Sequence, residues 1–215
     1  GSLKASGTLR VTAPAAFGRK HVASMVPLFL THHPKLHLSL SLSDRLVDLP
    51  NEGFDCAIRV GDAPDSNLVS VRLADNRRVC VAAPSYLERA GRPQHPSDLM
   101  RHECLAQTPD ASQTRGWAFL VEGDVAYWRP SGRMDASDGQ VLHAWCLEGH
   151  GIAWRSAWEV ADDLAEGRLV GLLDEYAAPP GGIYAVYAQR KHQPLRLRLW
   201  VDFLKQAWSN PAYWG

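Results

Sequence analysis

Between Leu9 and Gly61, strand-like and helix-like patterns alternate without a break, and that succession limits the possible folds more than any other feature. Leu9, Val11 and Ala13 alternate as on a strand, and the apolar spacing after His21 predicts a helix over 19–33, ended by Pro34. Residues 37–42 keep a strict period of two. Leu36, Leu38, Leu40 and Leu42 share one face, and Ser39 and Ser41 the other. A short helix over 46–52 stops at Gly53, a fitting C-cap, and an apolar strand over 55–60 is closed by Gly61. A βαβαβ order of this kind predicts a mainly parallel sheet, which receives ligands at the carboxyl ends of its strands.

Further on, two strands over 69–73 and 77–83 are joined by Ala74-Asp75-Asn76. Three S-x-x-[EQ] capping boxes, Ser85…Glu88, Ser137…Gln140 and Ser156…Glu159, each precede a helical pattern. Residues 117–122 and 125–129 flank Gly123-Asp124 as a hairpin, and short strands are expected at 152–154, 169–172 and 183–188. Pro194 opens a closing helix whose expected apolar face carries Leu195, Leu199, Phe203 and Trp208. No linker composition and no repeat interrupts the chain. Two α/β lobes joined by a pair of strands are nevertheless expected, with a small-molecule cleft at their boundary.

Composition narrows the function. At 215 residues and 46% hydrophobic, the chain can bury a core as one large or two small domains. Lys and Arg balance Asp and Glu at 23 each, without the basic excess by which duplex-binding surfaces grip phosphates. No apolar run reaches the roughly 18 residues a membrane span needs. Cys56, Cys80, Cys104 and Cys146 lie far apart in apolar runs without a C-x-x-C pair, as expected of buried, reduced thiols in a cytoplasmic protein. Gly1-Ser2 reads as a remnant of expression, with natural chain expected upstream.

The segment 14–18 follows a strand and opens onto a helix, so its backbone N–H groups and the helix dipole favour an anion such as a carboxylate. Several motifs then recur in a familiar order: G-T-L-R-V-T-A-P-A-A-F-G (7–18), L-S-D-R-L-V-D-L (42–49), G-F-D-C-A-I-R-V-G (53–61) and N-R-R-V-C-V-A-A-P-S-Y-L (76–87). G-H-G-I-A (149–153), A-D-D-L-A-E-G-R-L-V (161–170), I-Y-A-V-Y (183–187) and F-L (203–204) continue it. In these, nearly the whole chain resembles the effector-binding domain of LysR-type transcriptional regulators.

The resemblance implies an α/β fold of two Rossmann-like lobes joined by two crossover strands, like the type II periplasmic binding proteins. Lobe I would comprise 7–82 and 188–215, and lobe II 83–187. An N-terminal winged helix-turn-helix, the part that reads DNA, would be missing here. A small effector, possibly a carboxylate, would lie between the lobes. The domain would pair as a homodimer, helix 18–33 against 137–148 of its neighbour, and the full-length protein as a homotetramer. Where the family often has Leu-Leu-Pro or Leu-Gln-Pro after G-I-A, this chain has Trp154-Arg155-Ser156, which bars the transfer of any known effector.

Mapped onto this chain, the family's first contacts fall on Pro14 and Ala15, with Phe17 either a pocket wall or core. Ser43 and Asp44 match the next position, although Ser43 is equally suited to cap the following helix. Arg59 and Gly61 end the third strand, where Arg59 pairs with a carboxylate or faces solvent. From lobe II, Gln107, Asp138, Trp154 and Arg155 are candidates, Trp154 as a flat wall or as core and Arg155 as a fork for an anion. No cofactor is expected. The histidines at 32, 33, 37 and 102 fit no zinc spacing, and no G-x-S-x-G marks a hydrolase. A transporter's solute-binding protein and an enzyme on the same scaffold are the rival readings.

Overall fold

The computed structural model describes residues 4–62, 67–108 and 115–214. In chain order it begins β1 (Gly7–Ala13), α1 (Ala15–Phe17), a π-helical turn (Gly18–Val22), α2 (Ala23–Thr31), β2 (Leu36–Leu42), α3 (Leu49–Glu52), β3 (Cys56–Gly61) and β4 (Val69–Asn76). It continues with β5 (Arg78–Ala82), α4 (Pro84–Ala90), β6 (Ala106–Gln107), β7 (Trp117–Val121), β8 (Asp124–Trp128), β9 (Asp135–Ala136), α5 (Gly139–Leu147), β10 (Ala153–Ser156), α6 (Ala157–Ala165) and β11 (Val170–Leu172). It closes with β12 (Gly181–Tyr187), α7 (Leu195–Trp208) and α8 (Pro211–Trp214). Among the described residues no helix is long and apolar enough to cross a membrane.

The chain divides into two compact units, Gly1–Asp75 with Gly182–Gly215, and Asn76–Gly181. These junctions precede the expected crossings at 82–83 and 187–188. The reason is pairing: β5 takes its neighbours β10 and β11 from the second unit, and β12 takes β3 and β4 from the first.

Unit 1 is built on a five-stranded sheet ordered β2-β1-β3-β12-β4. The expected parallel pairing is present in β2-β1-β3, whereas β12 runs antiparallel to β3. β2 sits at the edge, so only its leucine face turns inward while His37, Ser39 and Ser41 are exposed. The first helix begins at Ala15, four residues ahead of expectation, directly after Pro14, which stands extended at its N-cap with ψ 147°. α7 covers the sheet with a stripe of Leu197, Trp200, Val201, Leu204 and Trp208. Leu195, Leu199 and Phe203, expected on that face, are only half-buried.

Unit 2 centres on β5, whose side chains alternate between two cores. Cys80 and Ala82 join Tyr86, Leu99, Trp117, Phe119 and Ile152 on one side. Val79, Val81 and Ala83 join Leu105, Leu142, Cys146 and Val160 on the other. An uninterrupted apolar strand is what burial on both faces requires. Its neighbours β10 and β11 are both antiparallel to it. The β7–β8 hairpin turns through Glu122 and Gly123, both at positive φ, with Val121 opposite Asp124.

Candidate functional site

In unit 1, the carboxyl ends of β1 and β2 lie side by side, Ala13 opposite Leu42. The Ser43 N–H donates to Ala13 O at 2.9 Å and carries the pairing one residue further. Asp44 follows, and its Oδ1 accepts the Ala15 N–H at 2.9 Å. The first donor of the helical run, expected to receive an external carboxylate, thus holds one from the chain itself. Ser43 Oγ accepts the Arg45 N–H at 3.2 Å, so its hydroxyl shapes a turn and does not cap α3, whose N-cap is Asp48. Arg45 itself turns to Glu52, forming a two-pronged ion pair.

β3 runs parallel to β1 with Thr12 opposite Ala57, which brings Gly61 out at the same edge of the sheet. Gly61 has φ 120°, a value open mainly to glycine, and pairs with Gly182. Arg59 lies opposite Tyr184 of β12. Pro14, Ala15, Ser43, Asp44 and Gly61 therefore gather at the edge where open α/β sheets receive ligands. Phe17 does not join them. It is 1% exposed and packs edge-on against Trp208, ring centroids 5.3 Å apart, and so belongs to the core.

In unit 2, Arg155 is buried at the end of β10, and its charge is already matched. Nε and Nη2 each donate to Glu159 at 2.7 Å, and Nη1 donates to Gln107 Oε1 at 3.3 Å. Gln107 in turn donates to Ser137 O. His143 extends the network from Glu159, 3.8 Å away, to Asp163, which its Nε2 meets at 2.7 Å. Arg168 closes it on Asp163 at 2.8 Å. Burial would raise the Asp163 carboxyl, but hydrogen bonds from Arg168 and His143 prevail and hold it below its ordinary range.

Sequence reasoning placed Arg155 and Gln107 together but missed Glu159, His143 and Asp163. The signal was present: Glu159 stands four residues after Arg155, an ion-pair spacing that competes with the capping-box reading. Asp138 caps α5, accepting from Gln140 and Val141 N–H at 2.7 and 3.3 Å. Trp154 is half-buried, its ring near-parallel to that of Trp117 at 6.3 Å and covered by the Arg78 guanidinium at 5.0 Å.

All four cysteines are free and buried. Burial pushes Cys56, Cys104 and Cys146 up to about 12 and Cys80 well above its ordinary value, which disfavours the thiolate that nucleophilic attack or metal binding needs. Among the described residues no group of three His, Cys, Asp or Glu side chains could hold a metal ion. A small hollow beside Phe54, Asp55, Arg190 and Arg196 lies at the opposite, amino edge of β1 and β3. Its volume of about 20 Å³ suits a water molecule and no metabolite.

The family model described as the LysR substrate binding domain matches residues 3–209. The HTH-type transcriptional regulator DmlR of Escherichia coli K12 is 36% identical over 204 residues, covering 95% of this chain and 66% of that protein. The transcriptional activator TtdR of the same strain is 34% identical over 205 residues, 95% of this chain and 65% of its own. The chain thus spans about two thirds of the length of these relatives. Among solved structures, the regulatory domain of CrgA, a LysR-type transcriptional regulator from Neisseria meningitidis, superposes with a TM-score of 0.77 at 34% identity. That match covers 94% of this chain and 98% of the CrgA domain. The full-length virulence activator AphB of Vibrio cholerae gives 0.76 at 30% identity, over 94% of this chain and 68% of AphB.

Proposed function

The chain belongs to the LysR substrate binding domain family, and from that premise we propose that it senses a small metabolite for a bacterial transcription regulator. The observation that carries this reading is the match along nearly its whole length to regulators and to an isolated regulatory domain. In this reading DNA is bound only through an N-terminal helix-turn-helix, and the ligand acts by favouring one arrangement of the sensor over another. It can do so only to the extent of its differential affinity for the two. The residues proposed to contact the effector are Pro14, Ala15, Ser43, Asp44, Arg59 and Gly61 of unit 1 and Gln107, Asp138, Trp154 and Arg155 of unit 2. An anionic effector is favoured less than the sequence alone suggested, since Asp44 and Glu159 already occupy Ala15 and Arg155.

The protein works in the cytoplasm, a compartment that suits four free, buried thiols. It pairs as a homodimer, helix 18–33 of one copy against 137–148 of the other, and a full-length protein assembles as a tetramer. Exposed Leu28 on α2 and Val141 and Leu147 on α5 support that pairing. The relatives are named as transcription regulators and not as enzymes or transport proteins.

Thermal-shift titration against a panel of small acids, amides and polyols tests the sensor role. A concentration-dependent rise in melting temperature is expected for at least one class. The DNA upstream of the coding segment separates the rivals: a helix-turn-helix supports the regulator, and a secretion signal would support transport instead.

A further inference from the structure

We propose that the basic hollow at the amino edge of the unit 1 sheet is a second binding site, which takes one phosphate ion. It lies at the other end of β1 and β3 from the residues proposed for the effector, and it stands or falls independently of them. The balanced charge of the chain hides a division. Unit 1 carries thirteen Lys and Arg against eight Asp and Glu, and unit 2 carries ten against fifteen. Part of the unit 1 excess converges here. Arg190 and Arg196 line the hollow, and the Arg10 guanidinium lies 5.0 Å from the ring of Phe54, which forms one wall.

These guanidiniums are positioned without being neutralised. Arg196 Nε donates to Thr8 O at 3.0 Å, which orients the fork. Arg10 Nη1 donates to the carbonyls of Glu52 and Gly53, at 3.4 and 2.8 Å. Arg190 is exposed and makes no hydrogen bond or ion pair among the described residues, and none of the three pairs with a carboxylate there. Gln193 Nε2 donates to Ala188 O at 2.8 Å and closes the loop that carries Arg190. α7 starts at the same place, after Pro194, and no side chain caps its first N–H groups, so its dipole adds to the positive field.

Size and proton chemistry select the ion. A space of about 20 Å³ admits one oxygen, and the rest of the ligand stands at the mouth beside the two arginines. A tetrahedral oxyanion keeps three oxygens for them after one has entered, whereas a carboxylate keeps one. Asp55 is the one acidic side chain lining the hollow among the described residues. Its Oδ2 accepts the Arg10 N–H at 2.8 Å, and its Oδ1 has no partner among them. Hydrogen phosphate carries a proton that this oxygen can accept, and sulfate carries none at neutral pH. Asp55 therefore sets phosphate above sulfate, while the arginines set both above acetate.

The test is calorimetry and thermal shift on the whole chain at pH 7.5, in buffer free of phosphate and sulfate, with ionic strength held constant by sodium chloride. The probes are phosphate, sulfate, acetate, glycerol 1-phosphate and a short duplex DNA. Arg190→Ala removes an exposed side chain, and Asp55→Asn still accepts the Arg10 N–H. Arg198→Ala removes an exposed cation of α7 that does not line the hollow, and serves as the control. Unliganded melting temperatures report whether each variant folds.

Phosphate is expected to bind one-to-one and to raise the melting temperature. R190A should weaken it about tenfold, the loss of one charge-assisted contact, and R198A by no more than about twofold. Sulfate should bind about tenfold less tightly than phosphate, and D55N should remove that preference. If D55N does not fold, R190A and the phosphate-to-sulfate ratio of the natural protein still decide. Equal binding of phosphate and sulfate, a phosphate affinity untouched by R190A, or no saturable phosphate binding overturns the proposal. So does tighter binding of glycerol 1-phosphate, which points to a monoester, or binding of the duplex without phosphate, which points to a polyanion surface.

Discussion

Arg155 and Glu159 form a two-pronged ion pair, Nε to Oε2 and Nη2 to Oε1 both at 2.7 Å, with side chains only 9% and 6% exposed. At this depth the attraction mainly repays the desolvation of the two ions, so the pair adds little net stability yet is costly to break. Glu159→Gln is expected to destabilise the domain by about 3–5 kcal/mol, because it leaves a buried guanidinium without its counter-charge. The double replacement Arg155→Met with Glu159→Gln should cost much less than the sum of the single changes. Urea unfolding of the four proteins gives the coupling directly, and additive single effects would contradict the network.

Gly139 sits where that guanidinium passes. A Cβ there would collide with Arg155 Nη2 and lie 3.0 Å from Cζ, and the bidentate contact with Glu159 keeps the group from moving aside. Helix propensity alone favours Gly139→Ala by roughly 1 kcal/mol. The clash is expected to outweigh this and leave a net loss of about 1–3 kcal/mol. With Arg155 replaced by Met the same change should become neutral or stabilising, a reversal of sign measurable by thermal unfolding.

The start of α5 separates two ways of reading one sequence. Ser137 and Gln140 have capping-box spacing, but the side chain that receives the helix N–H groups is Asp138. Asp138→Ala is therefore expected to cost about 1 kcal/mol, and Ser137→Ala no more than a few tenths. Equal losses from both variants in chemical denaturation would refute that assignment.

Much of the architecture was legible because the local signals agree with the tertiary environment. The leucine alternation of β2 marks an edge strand with one wet face, and Gly53, at φ 74°, ends α3 as its C-cap. Other signals named the right element with the wrong atoms. The box at Ser85 lies inside α4, whose N-cap is Ala83. Ser156 does stand at the N-cap of α6, but its side chain makes no capping bond, and Glu159 turns to Arg155. A box does occur at His95 and Asp98, built on an imidazole that the S-x-x-[EQ] pattern does not contain.

The site misled in a consistent direction. Ala15 N–H and Arg155 were recognised as anion receptors from their own chemistry. Their occupants, Asp44 and Glu159, are supplied by tertiary pairing in one case and by a helix start competing for the same carboxylate in the other. Single-residue chemistry shows what a group can bind, and only packing shows what already sits there.

Acid should weaken unit 1 through His21. Its Nδ1 lies 2.9 Å from the Tyr213 hydroxyl, and Phe17 and Trp214 pack against its ring at 5.1 and 5.0 Å. Burial in that aromatic nest, aided by the neighbouring Lys20 charge, lowers the imidazole to about 4 from its ordinary 6.5. Between these values the unfolded chain binds more protons than the folded one. Stability is therefore complete above pH 6.5 and declines as pH falls toward 4, by about 1 kcal/mol once solvent screening of the half-buried ring is allowed for. His102, lowered chiefly by burial, adds a slope of the same sign. Asp163, held below its ordinary range, contributes only at still lower pH, as its folded-state carboxyl takes up a proton. His21→Gln, which cannot be protonated, should flatten the pH 4–6.5 slope without abolishing it. Melting curves that fall equally steeply for both proteins would show that the aromatic nest does not disfavour the charged ring.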